Sequence, residues 1–206
     1  MTQAELESRD HPAWRRVQVD ELRAQQLSLR RAYTVRRARG APRLKPTAKL
    51  TKALLASLPF RLTQAQQRAW HEIAADLAQP HPMQRLLQGD VGSGKTVVAA
   101  LAMLHAVEAG YQAALMAPTE ILAEQHYRKL AAWLEPLGLE VAWLTGSLKK
   151  REKEAAIAKV GAGDTAIIVG THALIEDKVE FARLGLAIVD EQHRFGVRQR
   201  LALKEK

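Results

Sequence analysis

The sequence of 206 residues predicts an α/β domain in which a parallel β-sheet carries helices on both faces. Short apolar runs alternate with longer stretches that favour helix, as in strands joined by crossover helices. The runs are apolar at most positions, which is typical of parallel strands buried on both sides. A glycine-rich segment directly follows the first run and precedes a helix. The runs cover residues 85–88, 113–117, 141–144, 166–169 and 186–189.

Helix-forming stretches lie before and between these runs. Threonine is frequent at helix N-termini because its side-chain oxygen accepts a hydrogen bond from a free backbone N–H group. Thr63 and Thr119 each stand directly before such a stretch and are candidate caps. A basic helical segment is also predicted near the N-terminus, before a Gly-Ala-Pro sequence that would end it. The predicted helices cover residues 13–39, 64–77, 96–108, 120–134 and 149–160.

The glycine-rich segment fits the pattern G-x-x-x-x-G-K-[ST], the phosphate-binding loop of nucleoside triphosphatases. Glycines allow several backbone N–H groups to point into one concavity, at the positive end of the following helix. Lys95 can reach the β- and γ-phosphates, and the Thr96 hydroxyl can hold Mg²⁺. The segment therefore predicts a site for a Mg²⁺–nucleotide. It comprises Gly89, Asp90, Val91, Gly92, Ser93, Gly94, Lys95 and Thr96.

An acidic pair follows the last apolar run, in the sequence Asp190-Glu191-Gln192-His193. A Mg²⁺–nucleotide needs a carboxylate at the carboxyl end of a parallel strand beside the phosphate-binding loop. We predict that Asp190 holds Mg²⁺ and that Glu191 orients and deprotonates the attacking water. A solvated acidic turn after a strand would have the same composition. The phosphate-binding loop about a hundred residues upstream favours the catalytic interpretation.

These motifs together resemble a known family. Asp-Glu-Gln-His is a DExH-type box, and residues 190–200 as a whole resemble the RecG family of DNA helicases and branch-migrating translocases. Further segments agree with that family in order and spacing. Residues 62–66 resemble the adenine-reading motif of superfamily 2 helicases, residues 117–126 resemble helicase motif Ia, and residues 144–147 and 170–174 resemble the next two DNA-contacting motifs.

The resemblance implies a RecA-like P-loop fold with ATP and Mg²⁺ as cofactors, and it implies roles for single residues. Gln66, with Thr63, would read the adenine edge, and Phe60 would pack near the base. His193 would link the γ-phosphate state to the rest of the motor. The residues that would line the bound strand and touch its sugar–phosphate backbone are Pro118, Thr119, Thr145, Gly146, Thr171 and His172.

The resemblance also implies that the chain is a segment of a longer motor protein. Residues 1–58 would form a basic helical linker segment, and residues 59–206 the first RecA-like motor domain. Motifs of a second motor domain, with its transition-state arginine, and a wedge domain are not found in the sequence. We expect the segment to bind Mg–ATP and to hydrolyse it poorly. The parent protein would be a monomeric, cytoplasmic ATP-dependent helicase that regresses stalled replication forks in DNA repair and recombination, on branched or forked DNA.

Composition excludes several other kinds of site. The chain has no cysteine, which excludes disulfides and cysteine-ligated zinc. Its seven histidines form no H-E-x-x-H pattern. No apolar run is long enough for a membrane-spanning helix, so no membrane span is predicted.

The positive charge is concentrated at one end of the sequence. The net charge is +9, and residues 1–62, with 14 Lys/Arg and 5 Asp/Glu, account for all of it. Such a segment can neutralise nucleic-acid phosphates and give salt-sensitive binding. A solvated helix face that packs on another domain explains the same pattern equally well, because aromatic residues are sparse there.

Other functions stay open at this stage. Transcription–repair coupling translocases share the glycine loop and the Arg-Phe-Gly-Val run, but usually have Glu-Gln where this chain has Gln192-His193. A small-molecule P-loop kinase would need an acceptor pocket and an arginine-rich lid, which the sequence does not indicate. A nucleic-acid interaction module without motor activity would not require all the catalytic residues to be intact, as they are here.

Overall fold

A computed structural model describes residues 12–195, which fall into two compact units. Among the described residues, the smaller unit contains residues 12–41 and 80–82, and the larger contains residues 42–79 and 83–195. The α/β architecture predicted from the sequence is confirmed in the larger unit. The assignment of residues 1–58 and 59–206 to two domains of a longer protein stays a prediction.

The smaller unit is built on one long helix, α1 (Pro12–Ala38). This confirms the predicted N-terminal helix, whose last turn contains Arg36 and Arg37, where positive charge interacts favourably with the helix dipole. The Arg37 guanidinium donates a hydrogen bond of 2.9 Å to the Tyr33 hydroxyl one turn earlier. Leu22 and Leu27 are 61% and 65% exposed, so α1 buries little apolar surface within its own unit.

Side-chain caps fix the starts of two helices in the larger unit. Thr63 accepts a hydrogen bond from the Gln66 N–H at 3.2 Å, and the Gln66 side chain accepts one from the Thr63 N–H at 2.9 Å, which together form a capping box. Thr119 accepts from the Leu122 N–H at 3.3 Å. The helices are α2 (Lys49–Ser57), α3 (Gln64–Leu77), α4 (Lys95–Glu108), α5 (Glu120–Leu134) and α6 (Lys150–Ala162).

A four-stranded parallel sheet forms the centre of the larger unit, in the order β2-β3-β1-β4. Ala113 pairs with Ile167 on one side and with Leu186 on the other, so β1 lies between β3 and β4. Parallel neighbours cannot be joined by a tight turn, which is why helices connect them. The strands are β1 (Gln112–Met116), β2 (Val141–Leu144), β3 (Ile167–Gly170) and β4 (Leu184–Val189).

Both faces of the sheet are covered. Ile167 and Val169 of β3 belong to one apolar cluster and Ile168 belongs to another, because successive side chains of a strand point to opposite faces. Helices α2, α3, α4 and α5 contribute to the first cluster, and α6 contributes to the second. Because all four strands are parallel, their carboxyl ends lie along one edge of the sheet, where ligands of open α/β sheets bind.

The segment before the glycine-rich loop departs from the prediction. Residues 85–88 were expected to form a strand, but they have no regular secondary structure. Leu86 is 60% exposed, and only Leu87 of this run packs against the core. Arg85 instead pairs with Glu72 and Asp76 of α3. A run that buries a single leucine gains little apolar burial to offset the entropy of ordering a strand.

Over the described residues 12–195, no helix is both long and apolar enough to cross a membrane.

Candidate functional site

The glycine-rich loop ends where α4 begins. Gly94 precedes the first residue of α4 with φ 79°, and Gly92 has φ 82°, both left-handed conformations that favour glycine. The Lys95 ammonium donates hydrogen bonds to the loop's own carbonyl oxygens, of Gly89 at 2.6 Å and of Asp90 at 2.9 Å. A cation and the free N–H groups of a helix N-terminus therefore face the same loop, which suits a phosphate group.

Gln66 joins the predicted adenine-reading segment to this loop. Its side-chain amide donates a hydrogen bond of 2.8 Å to the Ser93 carbonyl oxygen, while its amide oxygen accepts from the Thr63 N–H. A Cβ atom at Gly94 would clash with the Gln66 Nε2 atom, so a larger residue there would have to displace the Gln66 side chain. The capping box of α3 and the phosphate-binding loop are thus held by one side chain.

Phe60 lies close in sequence to this contact and is 45% exposed. It lines a shallow depression of about 350 Å³ together with Leu62, Trp70 and other residues of the α2–α3 region. An open, largely apolar surface with an aromatic ring is chemically suited to a flat base. Of the predicted adenine-site residues, Gln66 contacts the loop directly and Thr63 bonds to Gln66, while Phe60 lines this depression.

Asp190 stands directly after β4, where its N–H group donates to the Met116 carbonyl oxygen at 2.9 Å. One carboxylate oxygen lies 2.7 Å from the His126 Nε2 atom, and the other accepts a hydrogen bond of 3.0 Å from the Glu191 N–H. The hydrogen bond from His126 is the main cause that lowers the pKa of Asp190, and the positive charge of Lys95 adds to it, against the opposing effect of burial. The carboxylate is an anionic oxygen ligand of the kind that Mg²⁺ prefers.

Glu191 follows in a left-handed conformation with φ 48°, an unusual backbone for a residue other than glycine. Such strain is frequent at functional sites, where surrounding contacts maintain it. The short 3-10 turn Gln192–Arg194 comes next, and the buried Phe195 anchors it in the second apolar cluster. The side chain of His193 lies outside the described residues.

The two halves of the predicted nucleotide site converge. Lys95 is close enough to Asp190 for its charge to lower the pKa of that carboxyl group. The half-buried Thr96 begins the same helix turn as Lys95. A cation, a free helix N-terminus, a hydroxyl group and a carboxylate therefore occupy one end of the sheet, and this set fits a Mg²⁺–nucleoside triphosphate.

The six predicted DNA contacts lie in loops at the carboxyl ends of β1, β2 and β3. Thr119, Gly146 and His172 are exposed and Pro118 is partly exposed. Thr145 and Thr171 are buried, so their side chains are not presented to a ligand in this conformation. The Thr145 hydroxyl instead pairs with the Ser147 hydroxyl at 3.1 Å. The structure thus gathers the loops along one edge but exposes only part of the predicted set.

Two side chains at this edge had no predicted role. The Glu120 carboxylate accepts a hydrogen bond of 3.0 Å from the Ser147 N–H and so ties the loop after β1 to the loop after β2. His126 bonds to Asp190, as described above. Both belong to residues 117–126, which the sequence linked only to DNA. No local sequence pattern indicates the contact of His126, whose partner Asp190 lies 64 positions away.

Comparison with known proteins gives consistent matches. A protein-family model described as DEAD/DEAH box helicase matches residues 63–205. The ATP-dependent DNA helicase RecG of Acidithiobacillus ferridurans is 52% identical over 202 residues, which is 98% of this chain and 30% of that protein. The RecG helicase of Escherichia coli (strain K12) is 50% identical over 203 residues, which is 98% of this chain and 29% of that protein.

A solved structure of RecG bound to a three-way DNA junction superimposes with a TM-score of 0.81 at 47% identity, over 86% of this chain and 24% of that chain. The chain therefore spans about 30% of the length of the curated relatives that it matches.

Proposed function

The chain belongs to the DEAD/DEAH box helicase family, with a sequence of the RecG type, and we propose that it is the ATP-binding first motor domain of a DNA helicase or translocase. The observation that carries this proposal is the geometry of the glycine-rich loop, where the Lys95 ammonium bonds to the carbonyl oxygens of Gly89 and Asp90 at the start of α4. Mg²⁺–ATP would supply the reactive γ-phosphate, and the residues of this chain would bind and orient it.

Each group at the site has a task in this proposal. The ammonium of Lys95 would leave the carbonyl oxygens of Gly89 and Asp90 and hold the phosphates, an exchange of partners that costs little because its charge stays hydrogen-bonded. Thr96 and Asp190 would hold Mg²⁺, and Glu191 would orient and deprotonate the attacking water. Phe60, Thr63 and Gln66 would contact the adenine base.

The DNA strand would pass over the loops at the same edge of the sheet. Contacts would go to the sugar–phosphate backbone, so that movement along the strand does not depend on base sequence. The relative of known structure is described as bound to a three-way DNA junction, which supports branched DNA as the substrate of the whole protein. We propose that this protein, a cytoplasmic monomer, drives branch migration and regression of stalled forks in repair and recombination.

The first test is the affinity of this chain for Mg–ATP beside that of its Lys95→Ala variant. Hydrogen bonds to charged groups contribute about 1.5–3 kcal/mol. We therefore expect the variant to bind roughly 10–100-fold more weakly by isothermal titration calorimetry. Lys129→Ala removes an exposed lysine from the C-terminal half of α5, a different helix from the one that Lys95 begins. This variant is the control and should bind Mg–ATP like the original chain.

Hydrolysis is measured in the same samples. The chain corresponds to about 30% of its relatives, and we propose that by itself it hydrolyses ATP more slowly than about 1 s⁻¹, the low end for a complete enzyme. Equal affinity of the Lys95→Ala variant and the original chain would contradict the nucleotide site and favour an interaction module. Turnover above about 1 s⁻¹ would contradict only the claim of slow hydrolysis.

A further inference from the structure

His126 of α5 contacts Asp190, the predicted Mg²⁺ ligand, although neither the nucleotide site nor the DNA edge as predicted includes His126. Its Nε2 atom lies 2.7 Å from the Asp190 Oδ2 atom, and the two residues are 64 positions apart in the sequence. The side chains are 17% and 28% exposed, so the contact is largely screened from solvent. A hydrogen bond of this length to a charged oxygen, in a partly buried place, restricts the carboxylate strongly.

The Asp190 carboxylate is held from two sides. The Glu191 N–H donates to Oδ1, and His126 engages Oδ2. The backbone of Asp190 is fixed separately, through its N–H group and the Met116 carbonyl oxygen at the end of β1. Because Glu191 belongs to the same turn as Asp190, His126 is the side chain that ties this carboxylate to a different element, helix α5.

Helix α5, which contains His126, also reaches the predicted DNA edge of the sheet. The helix begins at Glu120, directly after Thr119, and Glu120 holds the loop after β2 through the Ser147 N–H. The same helix therefore reaches the predicted DNA edge at its start and the predicted metal site two turns later.

We propose that His126 is a positioning residue for Mg²⁺: its hydrogen bond holds the Asp190 carboxylate in the orientation that the nucleotide-bound metal requires and fixes it to α5. This inference rests on the proposed function, because it assumes that Asp190 holds the metal of Mg–ATP. Hydrogen-bonding partners of metal-binding carboxylates typically change metal affinity by about 10–100-fold when they are removed.

The test measures the Mg²⁺ concentration that half-saturates binding of a fluorescent ADP analogue to this chain. His126→Gln places an amide N–H at nearly the reach of Nε2, whereas the amide of His126→Asn is one methylene shorter. We expect His126→Asn and His126→Ala to raise the half-saturating Mg²⁺ concentration about tenfold or more. His126→Gln should restore a value close to that of the original chain. Binding of the analogue in EDTA should be alike in all four proteins.

Two controls separate positioning from a general structural effect. Gln125→Ala alters an exposed neighbour on α5 and should leave the Mg²⁺ requirement unchanged. In an Asp190→Asn background, His126→Ala should have no further effect, because no metal-binding carboxylate remains to be positioned. If His126→Ala does not fold by circular dichroism, the comparison of the asparagine and glutamine variants decides.

The assay distinguishes a failure of the His126 role from a failure of the nucleotide site. An unchanged Mg²⁺ requirement in His126→Asn, or an effect of His126→Ala that persists in the Asp190→Asn background, would overturn the positioning role alone. If Lys95→Ala also leaves binding of the analogue unchanged in the same assay, the nucleotide site itself is wrong.

Discussion

At the scale of single residues, the two left-handed glycines of the phosphate-binding loop differ in what surrounds them. A Cβ atom at Gly94 would clash with the Gln66 side chain, whereas a Cβ atom at Gly92 would meet nothing within 4 Å. Both replacements carry the conformational cost of a positive φ, roughly 1–2 kcal/mol. Only the change at Gly94 also displaces Gln66 from the Ser93 carbonyl oxygen.

We predict that Gly94→Ala lowers the free energy of unfolding by about 1 kcal/mol more than Gly92→Ala does, since a net hydrogen bond contributes about that amount. Urea denaturation followed by circular dichroism measures both variants. In a Gln66→Ala background the excess should disappear, because the side chain that obstructs Cβ is gone. Equal losses for the two glycines in the original background would show that Gln66 does not constrain the loop.

The predicted nucleotide site depends on two contiguous sequence motifs, and the roles of its residues stay predictions. The phosphate-binding loop and the acidic pair each lie within a few consecutive residues, although the loop follows an irregular segment rather than the strand that the sequence predicted. The bond between His126 and Asp190 spans 64 positions and has no local pattern. The burial of Thr145 and Thr171 could not be predicted from the sequence either, because it depends on packing around the strand ends rather than on residue type.

At the scale of elements, helices were easier to predict than the first strand. The predicted stretches 64–77 and 120–134 match α3 and α5, because a threonine cap marks each start. Residues 85–88 have the composition of a strand but not its burial. A run of four residues cannot show by itself whether a neighbouring strand will cover it.

Gln112 connects three elements at the amino end of the sheet. Its buried side-chain amide donates to the carbonyl oxygens of Val160 and Thr165, both at 2.9 Å, and its amide oxygen accepts from the Arg183 N–H at 2.9 Å. The first residue of β1 thus holds the end of α6 and the start of β4. This is also where the register between β1 and β4 shifts.

The Val160 carbonyl oxygen also accepts from the Gly163 N–H, so Gln112→Met leaves two groups without this partner, the Thr165 carbonyl oxygen and the Arg183 N–H. We predict that the substitution lowers the free energy of unfolding by about 2–6 kcal/mol, because each such buried group costs about 1–3 kcal/mol. Chemical denaturation measures the loss. Gln125→Met makes the same chemical change at an exposed position of α5 and should stay within about 0.5 kcal/mol of the original chain. A loss at Gln112 no larger than at Gln125 would mean that water or local rearrangement satisfies both groups.

At the scale of the whole molecule, charge separates the chain into a basic part and a neutral part. Residues 1–62 account for the net charge of +9, and the remaining residues balance. The predicted DNA edge of the sheet lies in the neutral part. Each neutralised phosphate contributes about 0.9 to the slope of log affinity against log salt. Contacts between this edge and the DNA backbone would therefore give DNA binding a modest salt dependence. Contacts from the arginines of α1 would make that dependence steeper.

We predict that the basic segment contributes directly to nucleic-acid binding. Replacing Arg30 and Arg31 of α1 with glutamine should reduce the steepness of that slope for duplex DNA by about 1–2, measured by fluorescence anisotropy across a series of salt concentrations. Replacing Arg128 and Lys129 of α5 with glutamine removes the same net charge from exposed positions of the neutral part. This control should leave the slope of log affinity against log salt unchanged. An equal reduction in both variants would show that total charge alone governs binding, and a reduction in neither would assign α1 to packing rather than to DNA contact.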